Sequence, residues 1–295
     1  MKGELVEIGV RLHDMPGESI EERLHEAARL GFRSVHLASK LLYQAWGCRE
    51  EGLTEERAKR LRDALEQEGL SVAVFGCYKN LATPDAAEEK ANLKEFVASA
   101  RFARWIGARV VGSETGRPNK EKRIGDDRFT EAALDELVRE AREAAAGVSG
   151  EGSRLALEPG WNEVCCTPER ATAALEGIAR EDVCIILDPV SLLHPKVLPE
   201  AQALTEWALG LLGNRIEVLH AKDYSVVDDE EKDGWCDGSG LRLVCHGAGA
   251  SGGYDMGTCM RWALSQKRPI PVIVENGTPQ TFATSLSVLE GLRQT

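Results

Sequence analysis

Four short apolar runs end in side chains that can do chemistry together. They are Leu155-Ala156-Leu157-Glu158-Pro159, Ile185-Ile186-Leu187-Asp188-Pro189, Glu217-Val218-Leu219-His220-Ala221-Lys222-Asp223 and Val272-Ile273-Val274-Glu275-Asn276. Side chains alternate along a strand, so Ala156 shares a face with Glu158, Ile186 with Asp188, Val218 with His220 and Ile273 with Glu275. If these faces point inward on neighbouring strands, three carboxylates and one imidazole converge. Negative charges that close raise one another's pKa unless a cation neutralises them. One divalent ion would do so. Three oxygen-donor residues and one imidazole suit Mn²⁺ first, with Mg²⁺, Co²⁺ or Zn²⁺ as alternatives and positions left open for substrate. A lone acid at a strand end is ordinarily a cap or a surface ion pair; four in register are hard to explain that way.

The elements that must position these groups repeat along the chain as apolar run, polar loop and amphipathic helix. The runs are Leu5–Val10, Ser34–Ala38, Ser71–Phe75, Arg109–Gly112, Arg154–Leu157, Val183–Leu187, Ile216–Leu219 and Pro271–Val274. Their Val, Ile and Leu content suits strands covered on both faces. Helical spacing follows at Ile20, Leu24, Ala27 and Ala28, at Ala58, Leu61 and Leu65, and at Leu134, Leu137, Val138 and Ala141. Ser19 and Glu22 read as a capping box, Thr54 and Thr167 as N-caps, and Gly31, Gly69, Gly107 and Gly147 as C-terminal glycines. Eight such units with no break in composition predict a (β/α)₈ TIM barrel, a single domain over residues 1–295. No GxGxxG follows the first strand, against a dinucleotide fold. About thirty residues, Tyr224 to Tyr254, separate the seventh strand from its helix, a long loop of the kind that is often functional.

Composition limits the partners. The chain has 295 residues, 43% hydrophobic and 28% charged, as in a folded globular protein. A net charge of −12, from 36 basic against 48 acidic side chains, opposes nucleic acid as a partner. No apolar run approaches the ~20 residues of a membrane helix. Met1-Lys2-Gly3-Glu4 leads into a strand-like segment rather than a signal sequence. The eight cysteines are scattered with no CxxC pair, so reduced thiols and a cytoplasmic location are expected.

The order and spacing of LEP at Glu158, LDP at Asp188, VLHAKD at His220 and VIVEN at Glu275 resemble the xylose-isomerase-like barrel superfamily, in particular its sugar isomerase/epimerase branch with the ketose 3-epimerases. The resemblance covers essentially the whole chain. It implies that Glu158, Asp188, His220 and Glu275 hold one divalent metal ion, with Glu158 and Glu275 also the acid/base pair. The implied reaction is proton transfer alpha to the carbonyl of a sugar or polyol-derived substrate through a metal-stabilised enediolate. Two positions depart from the epimerase pattern: Ser191 stands where a His often follows the metal-binding Asp, and Val226 where an Arg often follows the His.

Further substrate-contact candidates are Lys222, Trp161, His13 and Glu114. Lys222 shares a face with His220 and would polarise a substrate oxygen or pair with a site carboxylate. Trp161 would stack on a sugar or pack a loop. His13, which shares parity with Arg11, and Glu114 would meet sugar hydroxyls. His36 on the second strand reads as a satisfied interior histidine, His194 as structural, Asp223 as a loop cap, and the glycines at 247, 249, 252 and 253 as a turn rather than a phosphate cradle. The acidic run Asp228, Asp229, Glu230, Glu231 and Asp233 is expected to fold over the site as a lid. A keto-sugar lyase or dehydratase on the same scaffold, or a non-catalytic ligand-binding barrel, is the alternative. An apurinic-site endonuclease is disfavoured by the charge and the few histidines. Homo-oligomer formation stays open.

Overall fold

Parallel pairing closes the strands into a ring. The computed structural model describes residues 6–229 and 237–294. Its strands are β1 (Val6–Arg11), β2 (Ser34–Ala38), β3 (Ser71–Gly76), β4 (Val110–Glu114), β5 (Leu155–Glu158), β6 (Val183–Leu187), β7 (Ile216–Asp228), β8 (Leu241–Gly247) and β9 (Ile270–Val274). Each of β1 to β6 pairs with its successor, β6 pairs with β7, β7 with β9 and β9 with β1, all in parallel. The result is a closed eight-stranded barrel of the (β/α)₈ type; β8 lies outside the ring.

The helices form the outer layer: α1 (Ile20–Leu30), α2 (Ser39–Trp46), α3 (Glu55–Glu68), α4 (Ala86–Trp105), α5 (Glu131–Gly150), α6 (Pro168–Ile178), α7 (Ala201–Leu212), α8 (Gly257–Ser265) and α9 (Phe282–Gln294). Their starts follow the local chemistry. Ser19 and Glu22 make a reciprocal capping box on α1, Thr54 caps α3, and Thr167 caps α6 with Pro168 in its first turn. Gly31, Gly69 and Gly107 have positive φ at helix ends, but Gly147 lies inside α5, which runs one turn further than the sequence reading allowed.

Two apolar layers hold the barrel. Strands and helices enclose the larger core, while Val74, Val110, Ala156, Cys184, Ile186, Val218 and Ile273 fill the barrel interior. The second set includes the four residues whose partners on the same strand face are Glu158, Asp188, His220 and Glu275. Alternation therefore carries those four polar groups to the same rim, the C-terminal mouth where barrels of this kind place their chemistry.

The segment after the seventh strand departs from expectation. β7 does not stop at Leu219; it leaves the wall and continues to Asp228, pairing antiparallel with β8 from Lys222↔Gly247 to Asp228↔Leu241. Much of the expected long loop is thus a hairpin. Asp223 anchors the turn that follows β8, accepting the backbone N–H groups of Tyr224 (2.8 Å), Ser251 (2.7 Å), Gly252 (2.7 Å) and Tyr254 (2.8 Å). This is the capping role expected of it. The N–H groups of the glycine-rich turn are therefore spent on a carboxylate of this chain rather than offered to a phosphate. Of the expected lid, Glu230, Glu231 and Asp233 lie outside the described residues, as do Met1 to Leu5 and Cys236. The other seven cysteines are free thiols.

Candidate active site

The four strand-end groups meet. One donor atom each from Glu158, Asp188, His220 and Glu275 lies within 4.8 Å of the other three. His220 Nδ1 is 3.2 Å from Glu158 Oε1 and 3.4 Å from Glu275 Oε1, and its Nε2 is buried without a hydrogen-bond partner. Burial works against charging the ring, but Glu275, Glu158 and Asp188 outweigh it and hold the imidazole above its ordinary pKa.

Each acid is oriented by its own surroundings. Asp188 is fully buried and accepts the N–H groups of Val190 (3.0 Å) and Ser191 (3.1 Å) and the Ser191 hydroxyl (2.8 Å). Ser191, one of the two departures noted in the sequence, thus braces the acid it follows. Val226, the other, is on the hairpin and largely exposed. Glu158 accepts the Tyr78 hydroxyl at 2.6 Å. Glu275 has Arg11 Nη1 at 3.3 Å, Lys222 Nζ at 2.8 Å and His36 Nδ1 at 3.3 Å. Burial pushes both glutamates up, yet His220 and then Lys222 pull Glu275 well below the usual carboxylate range, and His220 also brings Glu158 below it.

Lys222 bridges Asp188 and Glu275 and donates to Ser191 Oγ at 3.3 Å. Burial opposes its charge, but Asp188 and Glu275 more than compensate, so it is a buried ammonium. Two cations of this chain, Lys222 and Arg11, therefore already balance part of the charge on the three acids. Repulsion among the carboxylates does not by itself demand a metal ion. The donor set fits one nonetheless: carboxylate and imidazole atoms gathered from four adjacent barrel strands.

A cavity of about 440 Å³ opens above this cluster. Glu158, Lys222, Glu275, Glu114 and His13 line it, whereas Trp161 lines a separate pocket with Ser191 and His194, its ring 5.4 Å from that of His194. Burial and Arg11 push His13 down to about 4. Burial raises Glu114; behind it Glu163, accepting from Thr115 and Gly116, is driven up to about 8 by burial and by Glu114. His194 is structural as expected, with Nδ1 2.7 Å from Asp237 Oδ2.

His36 needs correcting. It is interior, as read from sequence, but not as a satisfied core histidine: neither ring nitrogen has a hydrogen bond of good geometry, and the ring stacks on His220 at 5.3 Å and 20°. Tyr78, two residues past β3, was not read at all. Its position just beyond a strand end was the available signal, since that is where this fold presents side chains to its mouth.

The chain belongs to the xylose isomerase-like TIM barrel family, whose model matches residues 24–280. No curated protein sequence matches it. Among solved structures it is similar to a xylose isomerase-like TIM barrel protein from Mycobacterium smegmatis in complex with magnesium, at 19% identity and a TM-score of 0.64, covering 100% of this chain and 94% of that one. It is also similar to a probable 3-DHS dehydratase involved in petrobactin synthesis from Bacillus anthracis (13% identity, TM-score 0.69, 97% and 98% covered). A third similar structure is 3-keto-D-glucoside 4-epimerase from E. coli (15% identity, TM-score 0.68, 97% and 99% covered).

Proposed function

We propose that this protein is a divalent-metal-dependent sugar isomerase or epimerase that moves a proton alpha to a carbonyl. The observation that carries the reading is the convergence of Glu158, Asp188, His220 and Glu275 donor atoms beneath a cavity of small-sugar size. These four residues would hold one ion, Mn²⁺ for preference, which supplies a Lewis acid for the substrate oxygens and so acidifies the neighbouring C–H.

The chain's own groups do the rest. Glu275 and Glu158 come from β9 and β5, the two ends of the four-strand arc that carries the cluster, so two carboxylates can address a bound substrate from two sides. One removes the proton; the other returns one to the opposite face, inverting the carbon, or the same proton returns to the adjacent carbon, isomerising ketose and aldose. Tyr78 holds Glu158 in place through its hydroxyl. Lys222 and Arg11 beside Glu275 favour its carboxylate form, ready to accept a proton. Lys222, Glu114 and His13 are the proposed substrate contacts, together with Trp161 if the hairpin side of the mouth takes part. The substrate is a small sugar or polyol derivative, the location the cytoplasm.

A second reading has one observation in its favour. Glu114 lines the cavity with its pKa raised by burial, and Glu163 behind it is pushed up to about 8; an acid held protonated at the wall suits expulsion of a hydroxyl in a dehydratase. Incubation with candidate keto sugars and Mn²⁺ in D₂O separates the two. Deuterium in recovered substrate with a new stereocentre is expected of the epimerase, loss of water of the dehydratase. Glu275→Gln should cut exchange by about 10²–10⁴-fold, measured at Mn²⁺ concentrations at which metal analysis shows the variant loaded. Unchanged exchange in that variant removes Glu275 from the chemistry.

A further inference from the structure

The cavity is electrically lopsided. The acids of the metal-ligand cluster gather on one side, while Lys40 and Arg49 stand on the wall contributed by α2 and the segment after it. Of the five Lys and Arg side chains that line the cavity among the described residues, three are already engaged. Arg11 is held by Asp14 and Glu275, Lys79 by Glu95 at 2.6 Å, and Lys222 by Asp188 and Glu275. Lys40 and Arg49 make no side-chain hydrogen bond or ion pair among the described residues. The acids on that side are taken: Glu95 by Lys79, and Glu50, next in sequence to Arg49, by Lys94 at 2.7 Å.

Two more features of the same wall want an acceptor. The Tyr43 hydroxyl is buried close to Ser39 and Glu95, yet in hydrogen-bond geometry with neither. α2 starts at the cavity, with Ala38, Ser39 and Lys40 all lining it, and Ala38 offers no side-chain cap to the free N–H groups of the first turn. In a chain of net charge −12 these are two unpaired cations at exposed positions on the rim of the cavity, beside a buried hydroxyl without a hydrogen-bond partner.

We propose that this wall is an anion subsite: the substrate carries a carboxylate or phosphate group at the end remote from the reacting carbons, held by Lys40 and Arg49 with the Tyr43 hydroxyl donating. Guanidinium and ammonium groups recognise both oxyanions by charge-assisted hydrogen bonds. The proposal deepens the proton-transfer reading and rests on it for what happens at the other end of the molecule. It changes the expected substrate class from neutral sugars to sugar acids or sugar phosphates.

Calorimetric titration of the Mn²⁺-loaded protein with D-fructose, D-gluconate and D-fructose 6-phosphate tests it. At least one anionic probe should bind about tenfold or more tighter than D-fructose, the scale of a hydrogen bond to a charged group, and added salt should shrink that advantage. Lys40→Ala/Arg49→Ala, at two exposed positions, should abolish the advantage, so that the anionic probe binds the variant no tighter than D-fructose binds the same variant. A gain confined to gluconate assigns a carboxylate, and one confined to the phosphate ester assigns a phosphate. Equal affinity for all three, no measurable anion binding, or an advantage that survives the double variant overturns the subsite. The readout is binding, so it is separate from solvent exchange. Anion preference without exchange would remove the proton-transfer reading and keep the subsite; exchange without anion preference would do the reverse.

Discussion

At the scale of single residues the centre turns on Lys222. Its ammonium satisfies Asp188 and Glu275, two of the acids proposed to hold a metal ion, so the ion and the lysine compete for the charge of the same carboxylates. Replacing it by Met leaves buried carboxylates unbalanced, which costs about 3–5 kcal/mol when one partner of a buried pair is lost. Lys222→Met should therefore melt at lower temperature than wild type without metal, and Mn²⁺ should restore more of that loss than it adds to wild type. Thermal melts with and without Mn²⁺, together with a metal titration, check this. Weaker Mn²⁺ binding in the variant would mean that Lys222 supports the ion rather than opposing it. Sequence spacing identified Lys222 as a neighbour of His220 and left its partner open between substrate and carboxylate. His36 and Tyr78 were harder to read, because an aromatic or His beside a strand is far more often core than site. Only closure of the ring brings β2 and β3 round to face β5 and β9.

At the scale of elements, the hairpin of β7 and β8 depends on Asp223. Burial raises its pKa, but the N–H groups of Ser251, Gly252, Tyr224 and Tyr254 lower it further, so the folded value lies below the unfolded one. A depressed carboxylate contributes stability that is present above its unfolded pKa, near 3.9, and is lost as pH falls through the folded value. Asp223→Ala should cost about 3 kcal/mol at pH 7, the scale of leaving buried donors unpaired, and the difference from wild type should narrow below about pH 4. Denaturant melts at both pH values measure it. The hairpin went unread because the apolar run stops at Leu219, whereas Tyr224 to Asp228 and Leu241 to Gly247 are mixed in polarity, as strands are when half exposed. α2 went unread for a different reason: it has eight residues and no side-chain cap.

At the scale of the whole molecule, the barrel was legible because parallel strands buried on both faces read as continuous apolar runs, and the N-caps at Ser19, Thr54 and Thr167 stand where the sequence puts them. What the pattern cannot foretell is a charge buried between helices. Glu140 on α5 is buried, its Oε1 without a hydrogen bond and 3.9 Å from Arg139 Nη2, and burial together with Glu89 and Glu136 outweighs that arginine and raises it from 4.5 to about 8. A carboxyl raised in the folded state contributes stability that is full below its unfolded pKa and is lost as pH rises through the folded one. Glu140→Gln should therefore change little at pH 4.5 and raise the melting temperature by about 2 °C or more at pH 8.5. A uniform gain at both pH values would show that ionisation is not the cause. The seventh stave has one more consequence. Wall and arm are a single unbroken rod, with His220 and Lys222 inside and Val226 to Asp228 outside and no joint between them. The arm is rooted among the acids, so its root cannot shift by one residue without turning His220 out of the ring.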